Sequence, residues 1–277
     1  MEACIVCNSS FNKINDFVLK CEKCLFLKST LKPGYGREIE GISELRKKNF
    51  IKIIKIIKAL DNSQNFKILE IGSGNGFFIE ECRNFNINIT GSEADEEQFI
   101  SLKETFPNIL KINLPMEDLS NNMHDKFDYV IFNDVFEHLE NLDLVLKQLK
   151  NFLKDDGKIV INLPSSNGLI FKFSEQLNRV GLTNFYNRLW QKDLSSPHLS
   201  YFNKSNLKQL LNKHNYGLIY SGSLMTVSNK GNFERLNSTI KNKFMCFILS
   251  CLLFLFFYLQ KILPKDIIFH IYKNNID

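Results

Sequence analysis

The stretch Ile68-Leu69-Glu70-Ile71-Gly72-Ser73-Gly74-Asn75-Gly76 decides the fold of this chain of 277 residues. The apolar run that begins at Phe66 is short enough for a buried strand of a parallel sheet. Three glycines follow at alternate positions, and residues 77–84 then read as a helix. A strand, a glycine-rich turn and a helix in this order bring bare backbone amides close to a ligand. The sequence therefore predicts an α/β domain with a ligand site at this turn.

The positions of the glycines restrict the class of ligand that this turn can bind. A dinucleotide fingerprint needs glycines at the first, third and sixth positions, but the sixth residue is Phe77 counted from Gly72 and Ile79 counted from Gly74. The Gly-Lys-Ser/Thr of a phosphate-binding loop is absent from this turn. Instead, Glu70 precedes the first glycine by two residues. An anionic group there suits the cationic, amino-acid end of S-adenosylmethionine better than a pyrophosphate. The alternative is a tight structural turn in another Rossmann-like enzyme.

Strands and helices alternate along the rest of this region. The pattern predicts strands at 87–93, 109–114, 127–133 and 158–163. An amphipathic helix is expected over 37–60, and a second one over 142–153, stopped by Asp155-Asp156-Gly157. The strand at 87–93 ends in Glu93, whose carboxylate can accept hydrogen bonds from both hydroxyls of a ribose. This alternation indicates a doubly wound α/β fold.

These motifs resemble those of the class I S-adenosylmethionine-dependent methyltransferases. Residues 68–76 read like the first family motif, Pro115-Met116-Glu117-Asp118-Leu119 resembles the loop beside the adenine, and Glu137-His138-Leu139 matches the family's "EHL" signature. The resemblance covers residues 66–165, and more loosely extends to 227. It implies a Rossmann-like, seven-stranded, mostly parallel sheet with S-adenosylmethionine as cofactor. The cofactor-binding residues that it implies are Glu70, Gly72, Ser73, Gly74, Gly76, Glu93, Met116, Glu117 and Asn133.

Two histidines are candidate catalytic bases for methyl transfer to a hydroxyl. His138 follows the fourth strand at the carboxyl edge, where ligands collect in such sheets, although it could equally pack against the cofactor pocket. His198 lies in Ser195–Phe202, which resembles the family's "H-x-x-x-F" before a late helix at 204–214. The stretch Asp134-x-x-Glu137-His138 also resembles, with Asp in place of Glu, the metal-binding segment of some quinone-pathway O-methyltransferases. A helix-start acid has an ordinary role beside the helix dipole, so a metal here is the less favoured interpretation.

The acceptor is expected to bind at the insert 166–200, which is rich in aromatic residues. These side chains could stack on a substrate, and packing as a lid is the alternative. The layout resembles methyltransferases that modify sugars and belong to surface-polysaccharide clusters, although here Leu25 replaces the glycine that usually follows the last cysteine of their N-terminal knuckles. This resemblance implies a small-molecule or glycan acceptor. The aromatic residues of the insert are Phe171, Phe173, Phe185, Tyr186 and Trp190.

Four N-terminal cysteines predict a structural zinc ribbon over residues 1–32. Cys4 and Cys7 form one C-x2-C knuckle, and Cys21 and Cys24 form the other, with thirteen residues between the knuckles. Four thiolates complete a tetrahedral zinc shell with no open position, so this metal would support folding rather than chemistry. The spacing is slightly shorter than usual for this pattern. A redox C-x-x-C motif, an iron site and two unrelated pairs are the alternatives.

The C-terminal segment 228–277 contains a hydrophobic helix and a last strand. Residues 244–259 are almost wholly apolar but short of the ~20 residues of a spanning helix. They could span a bilayer, lie in its interface, or pack on the domain or a second subunit. Because 266–273 reads as the last strand of the sheet, we favour a peripheral helix with membrane contact through 244–263.

Composition excludes some classes of protein and leaves others open. The hydrophobic fraction of 44% supports a sizeable core over 37–227, and the net charge of +5 is spread without a dense basic stripe. A nucleic-acid partner is therefore not expected. The alternative function is an RNA methyltransferase with a zinc-ribbon module. The intact glycines disfavour a non-catalytic scaffold. Because the N-terminus lacks the pattern of a signal peptide, we expect reduced cysteines in a cytoplasmic protein that can associate with a membrane, and the sequence leaves its oligomeric state open.

Overall fold

The computed structural model describes residues 3–36, 43–61, 65–116, 126–227, 236–237, 242–259 and 262–275. A small antiparallel sheet at the N-terminus contains β1 (Phe11–Lys13), β2 (Val18–Cys21) and β3 (Leu27–Ser29). The helix α1 (Ser43–Leu60) then leads into the main domain. The part of the predicted helix before residue 43, at 37–42, lies outside the described residues.

The first half of the main domain alternates strands and helices as predicted. The elements are β4 (Lys67–Ile71), α2 (Phe77–Asn84), β5 (Asn88–Glu93), α3 (Glu96–Thr105), β6 (Leu110–Lys111), β7 (Phe127–Asn133), a 3-10 turn (Phe136–His138), α4 (Leu142–Phe152) and β8 (Leu153–Pro164). The helix α2 has the predicted bounds.

The remaining elements follow β8 and complete the sheet. They are α5 (Leu169–Arg179), α6 (Asn184–Leu189), β9 (Ser200–Tyr201), α7 (Lys204–Lys213), β10 (Tyr216–Ser223), α8 (Lys243–Leu259) and β11 (Ile267–Asn274). In the described part of the chain, no helix combines the length and apolarity that crossing a bilayer requires.

The central sheet has seven strands in the order β10-β11-β8-β7-β4-β5-β6. Neighbouring strands from β6 to β8 pair in parallel, whereas β11 is antiparallel to both β8 and β10. The prediction of a seven-stranded, mostly parallel sheet is therefore confirmed. The chain leaves β4 toward β5 on one side and returns to β7 on the other, so the strand order reverses at β4, where ligands collect in doubly wound folds.

Alternating side chains of the strands fill two separate cores, one on each face of the sheet. Leu69 and Val130 face α4 and α7, whereas Ile68 and Ile131 face α1 and α2. All four are fully buried, as expected for strands covered on both faces.

Two predicted boundaries were wrong. The third strand is confined to Leu110–Lys111 rather than 109–114. The helix α4 ends at Phe152, and β8 begins at once at Leu153, so Asp155-Asp156-Gly157 belongs to the strand rather than stopping the helix. The register of β8 against β7 slips in this region, and a side chain at Gly157 would approach the Lys154 carbonyl oxygen at 2.8 Å. The bulge therefore requires glycine at position 157, and the sequence analysis mistook this glycine for the end of a helix.

Candidate active site

The glycine turn after β4 has the conformation that the sequence predicts. Gly72, Gly74 and Gly76 all have positive φ, between 53° and 75°. A Cβ atom on Gly72 would contact Val135, and one on Gly76 would overlap the ring of Phe106, so close packing requires these two glycines. A Cβ atom on Gly74 would meet nothing within 4 Å. Gly74 is therefore the position at which the bare backbone faces open space that a ligand can fill.

Ser73 and Glu93 join this turn to the end of β5. The backbone amide of Ser73 donates to the Ser92 carbonyl (2.8 Å), and the Ser73 hydroxyl accepts from the Ser92 amide (3.1 Å). The Glu93 carboxylate accepts from the amides of Gly74 (3.0 Å), Ala94 (2.9 Å) and Asp95 (3.1 Å). These bonds fix Glu93 at the carboxyl edge and leave part of its accepting capacity for a ligand hydroxyl.

A chain of polar side chains crosses three adjacent strands beside the turn. The Asn133 amide donates to Glu70 Oε1 (2.7 Å), and the Asn162 amide donates to Asn133 Oδ1 (2.6 Å). Asn162, on β8, is a member that the sequence did not single out, since a polar residue in an otherwise apolar strand is its only signal.

Glu70 is a buried acid with one free oxygen. Its Oε2 atom has no hydrogen-bond partner among the described residues, although the side chain is only 2% exposed. Burial raises the pKa of Glu70 to about 7, and the Asn133 hydrogen bond opposes that rise. A cationic donor is what a buried carboxylate oxygen without a partner needs. Glu70 and the open space at Gly74 therefore fit the ammonium end of S-adenosylmethionine.

The loop after β6 is held by a residue that the sequence analysis missed. Gln148, on α4, binds the backbone of Met116 twice, accepting from its amide (2.9 Å) and donating to its carbonyl (2.8 Å). A polar residue on the core face of α4 was the only available signal. Glu117, the other predicted member of this loop, lies outside the described residues.

The segment after β7 packs directly against the glycine turn. Asp134 adopts a positive φ of 53°, which turns the chain so that Val135 touches Gly72. Arg46, on α1, lies 3.6 Å from the Asp134 carboxylate. Arg46 is a third residue that the sequence did not indicate, because this contact joins residues far apart in the chain.

His138 lies in the 3-10 turn with one ring nitrogen engaged. Its Nδ1 atom is 2.9 Å from the carbonyl oxygen of Pro197, which can only accept a hydrogen bond. Nδ1 therefore carries the hydrogen, and Nε2 is the basic atom. Burial lowers the pKa of His138, although the Pro197 carbonyl opposes this, so the ring is neutral near pH 7.

His198 lies next to His138 but is more enclosed. The two ring centroids are 4.6 Å apart. His198 Nε2 accepts from the Gln191 amide (3.0 Å), and burial lowers the pKa of His198 well below its ordinary value. The structure thus brings the two predicted bases together but leaves His138 as the better-placed acceptor of a proton.

Glu137 completes this cluster. Its side chain is fully buried, and neither carboxyl oxygen has a hydrogen-bond partner in the described part of the chain. Burial raises the pKa of Glu137 well above its ordinary value, and the nearby Asp134 adds to that rise. Ligand atoms of Glu137, His138 and His198 lie within 4.8 Å of one another, which is close enough for a shared metal ion.

The aromatic insert is mostly packed rather than open. Phe171, Tyr186 and Trp190 are buried and share a cluster with Tyr201. Phe173 and Phe185 form a ring contact on the surface, where Phe173 is 57% exposed. The geometry therefore favours a packed lid for three of the five aromatic residues.

The four N-terminal thiols converge, as the zinc prediction requires. Their sulfur atoms all lie within 4.8 Å of one another, with Cys4 and Cys24 3.6 Å apart and Cys7 and Cys21 3.4 Å apart. Four sulfurs in a tetrahedron around zinc are about 3.8 Å apart, given a Zn–S distance of about 2.3 Å. All four are free thiols, and burial raises the pKa of Cys4 to about 11. The donor set and its spacing fit a zinc ion.

The cysteine-bearing sheet is joined to the candidate active site. Strand β3 pairs with β9, which extends the small sheet to four strands. Ser29 donates from its hydroxyl to the His198 carbonyl (2.9 Å) and from its amide to the Leu199 carbonyl (2.9 Å). The predicted boundary at residue 32 therefore separates two units that share a sheet.

Comparison with known proteins identifies the family. Residues 42–221 match the family described as "Methyltransferase domain". The malonyl-[acyl-carrier protein] O-methyltransferase of Bacillus cereus is 26% identical over 133 residues, 47% of this chain and 49% of that protein. The ubiquinone biosynthesis O-methyltransferase of Pelagibacter ubique is 29% identical over 119 residues, 42% of this chain and 49% of that protein. The chain thus spans about half the length of these curated relatives.

A solved structure agrees in fold. The magnesium protoporphyrin IX methyltransferase from Synechocystis, with bound S-adenosylhomocysteine, is 14% identical and has a TM-score of 0.52, covering 87% of this chain and 90% of that one. A likeness at this identity concerns the fold alone. Because the family match covers more than half of the chain, the protein belongs to the methyltransferase-domain family and has the predicted class I S-adenosylmethionine-dependent methyltransferase fold.

Proposed function

We propose that the protein transfers a methyl group from S-adenosylmethionine to a hydroxyl of a small-molecule or glycan acceptor. The observation that carries this proposal is the free, buried Oε2 atom of Glu70 beside the open backbone of Gly74. Together they offer an anionic partner and room for a cationic, amino-acid-bearing ligand. In this proposal Glu93, which ends the neighbouring strand and binds the Gly74 amide, accepts from the ribose hydroxyls.

The reaction requires alignment and one proton acceptor. S-adenosylmethionine supplies an activated methyl group when bound. As the new C–O bond forms and the C–S bond breaks, the hydroxyl proton passes to Nε2 of His138, and S-adenosylhomocysteine leaves. The Pro197 carbonyl holds His138 in the tautomer that this step needs. His198, whose Nε2 is already bound to Gln191, positions His138 through ring contact.

An oxygen acceptor is supported by curated relatives that are named O-methyltransferases, although N-methyltransferases also match this chain. The glycan class is supported by the sequence resemblance to methyltransferases of surface-polysaccharide clusters. Exposed Phe173 and Phe185 supply apolar surface on the acceptor side that can stack on a sugar ring.

The ribbon contributes structure rather than chemistry in this proposal. Cys4, Cys7, Cys21 and Cys24 hold a structural zinc ion, which leaves no open coordination position. Through the β3–β9 pairing, that ion stabilises the segment that carries His198. Free thiols and a metal-dependent fold fit the reducing cytoplasm.

The test is turnover of labelled S-adenosylmethionine against nucleotide sugars, lipid-linked glycans and RNA in parallel. The proposal predicts transfer to a sugar-containing acceptor that falls sharply in Glu70→Gln, with Glu80→Gln as the matched control because Glu80 is 53% exposed. Transfer to RNA alone, with an affinity that falls steeply with salt, would identify the alternative function.

A further inference from the structure

The helix α8 presents a broad apolar face to the outside of the molecule. Six large apolar or aromatic side chains on it are at least half exposed, up to 72% for Phe244. With ~3.6 residues in each turn, their positions fall on one side of the helix. We call this surface the outer face: Phe244, Phe247, Leu252, Phe254, Leu255 and Tyr258.

The opposite side of the same helix is less exposed. Cys246 is fully buried, and Ser250, Leu253 and Phe257 are partly buried. The helix therefore has a more buried side opposite the outer face. Monomeric soluble proteins rarely expose large contiguous apolar surfaces to water, so we expect another molecule to cover the outer face.

The connections of α8 prevent it from crossing a bilayer. The strands on either side of it, β10 and β11, are neighbours in the same central sheet. A spanning helix would place its two ends on opposite sides of the membrane, which one sheet cannot follow. Its 17 residues are also only about 26 Å long, shorter than the ~30 Å hydrocarbon core. An orientation parallel to the surface satisfies both constraints.

Charge at the ends of the helix favours lipid over a second copy of the chain. Lys243 begins α8 and Lys265 follows it, and the sequence adds Lys241 and Lys261. The helix itself contains no acid. Two copies packed along their outer faces would bring lysines next to lysines in either direction, whereas anionic headgroups complement them.

The end of α8 also lies at the edge of the sheet that carries the candidate active site. Strand β11 begins opposite Pro164, the last residue of β8, with Ile267 and Pro164 in register. Asp266 accepts from the Ile170 amide (2.7 Å) in the first turn of α5, where the acceptor side begins. A lipid surface in contact with α8 would therefore lie close to the acceptor-binding insert.

We propose that α8 is an in-plane anchor that inserts its outer face into the interface of an anionic lipid bilayer, with its flanking lysines among the headgroups. Binding of this kind grows with buried apolar area and with attraction to anionic lipid. The inference concerns the location of the enzyme and stands independently of the methyl acceptor.

The test is flotation of the full-length protein with phosphatidylcholine vesicles, with and without phosphatidylglycerol. We expect the wild type to float with the phosphatidylglycerol vesicles. The double variant F247S/L255S should bind at least roughly a hundredfold more weakly, since two apolar side chains no longer enter the lipid. Lys243→Gln should weaken binding to the anionic vesicles by roughly fivefold.

The control is I14S/I100S, which removes two exposed apolar side chains (44% and 54%) elsewhere and should float like the wild type. Light scattering of each variant measures the oligomeric state in parallel. Failure of the wild type to float, or equal flotation of F247S/L255S, would overturn the proposal. A dimer that F247S/L255S converts to monomers, without vesicle binding, would overturn it by assigning the outer face to a second copy. No cofactor or acceptor is needed, so a failure here is distinguishable from a failure of the proposed activity.

Discussion

Replacement of Glu70 by glutamine gives the sharpest prediction, because it separates cofactor binding from stability. A glutamine side chain is nearly isosteric with the acid and can still accept the hydrogen bond from the Asn133 amide, which now reaches Glu70 Oε1 at 2.7 Å. The substitution removes the negative charge and replaces the free Oε2 acceptor with an NH2 group.

The magnitudes follow from the raised pKa of Glu70. The native protein releases this proton near pH 7 and the unfolded chain releases it near 4.5. Stability is therefore lost as the pH rises through that interval, by roughly 3 kcal/mol in total. Without ligand at pH 8, Glu70→Gln should raise the free energy of unfolding by up to about 3 kcal/mol. At the same pH it should weaken S-adenosylmethionine binding roughly 10- to 100-fold, since a charge-assisted hydrogen bond contributes about 1.5–3 kcal/mol.

The assay is calorimetric titration with S-adenosylmethionine across a pH series, beside urea unfolding without ligand. Wild-type affinity should fall as the pH drops below about 7 and Glu70 becomes protonated, whereas the affinity of the variant should change much less. The matched control is Glu80→Gln, an exposed acid on the adjoining helix α2 that pairs with Lys47.

Two results would refute this reasoning. Equal affinity of wild type and Glu70→Gln at pH 8 would show that Glu70 does not hold the ammonium group. A variant that binds weakly but is also less stable would indicate a folding defect instead of a lost contact.

Three further predictions address the base and the ribbon. His138→Ala should lower kcat by roughly 10²- to 10⁴-fold with cofactor affinity unchanged. Because burial lowers the pKa of His138, the kcat of the wild type should fall only below pH 6.5. An unchanged kcat in His138→Ala would show that His138 is not the base. Metal analysis should find no zinc bound to Cys21→Ser, and calorimetry should show a lower Tm for this variant. Cys251→Ser, at an exposed position, should keep both its zinc and its Tm. Equal zinc content in the two variants would contradict the zinc ribbon. Leu25→Gly should raise unfolding free energy by about 0.5–1 kcal/mol, because Leu25 has a φ of 60° that glycine adopts without strain; a loss of stability in urea unfolding would speak against that strain.

Local patterns predicted the centre of the fold well. The first strand begins at Lys67, one residue after its predicted start, and the helix at 77–84 has the expected bounds, since their signals lie within a few residues of one another. The sequence has Leu25 where the related knuckles have glycine, and only the backbone geometry shows how the turn forms without it. Leu25 adopts the left-handed conformation itself, as does Asn8 after the other knuckle.

Contacts between distant parts of the chain could not be predicted in the same way. The Ser29 hydroxyl reaches the His198 carbonyl across 169 residues, and Gln148 holds Met116 across 32. Neither contact has a periodic or compositional signal. The burial that leaves Glu70 with a free oxygen likewise depends on contacts between three strands. The sequence could therefore identify Glu70 as a site residue but could not show that one of its oxygens has no partner.

Calorimetric titration of wild type and Gly74→Arg with S-adenosylmethionine shows whether the open backbone at Gly74 receives this cofactor. Because a Cβ atom at Gly74 would meet nothing within 4 Å, the arginine side chain can extend into the ligand space, while the positive φ costs about 1–2 kcal/mol of stability. We expect binding heat for the wild type and none for a folded Gly74→Arg protein. Equal heats in both proteins would contradict this expectation.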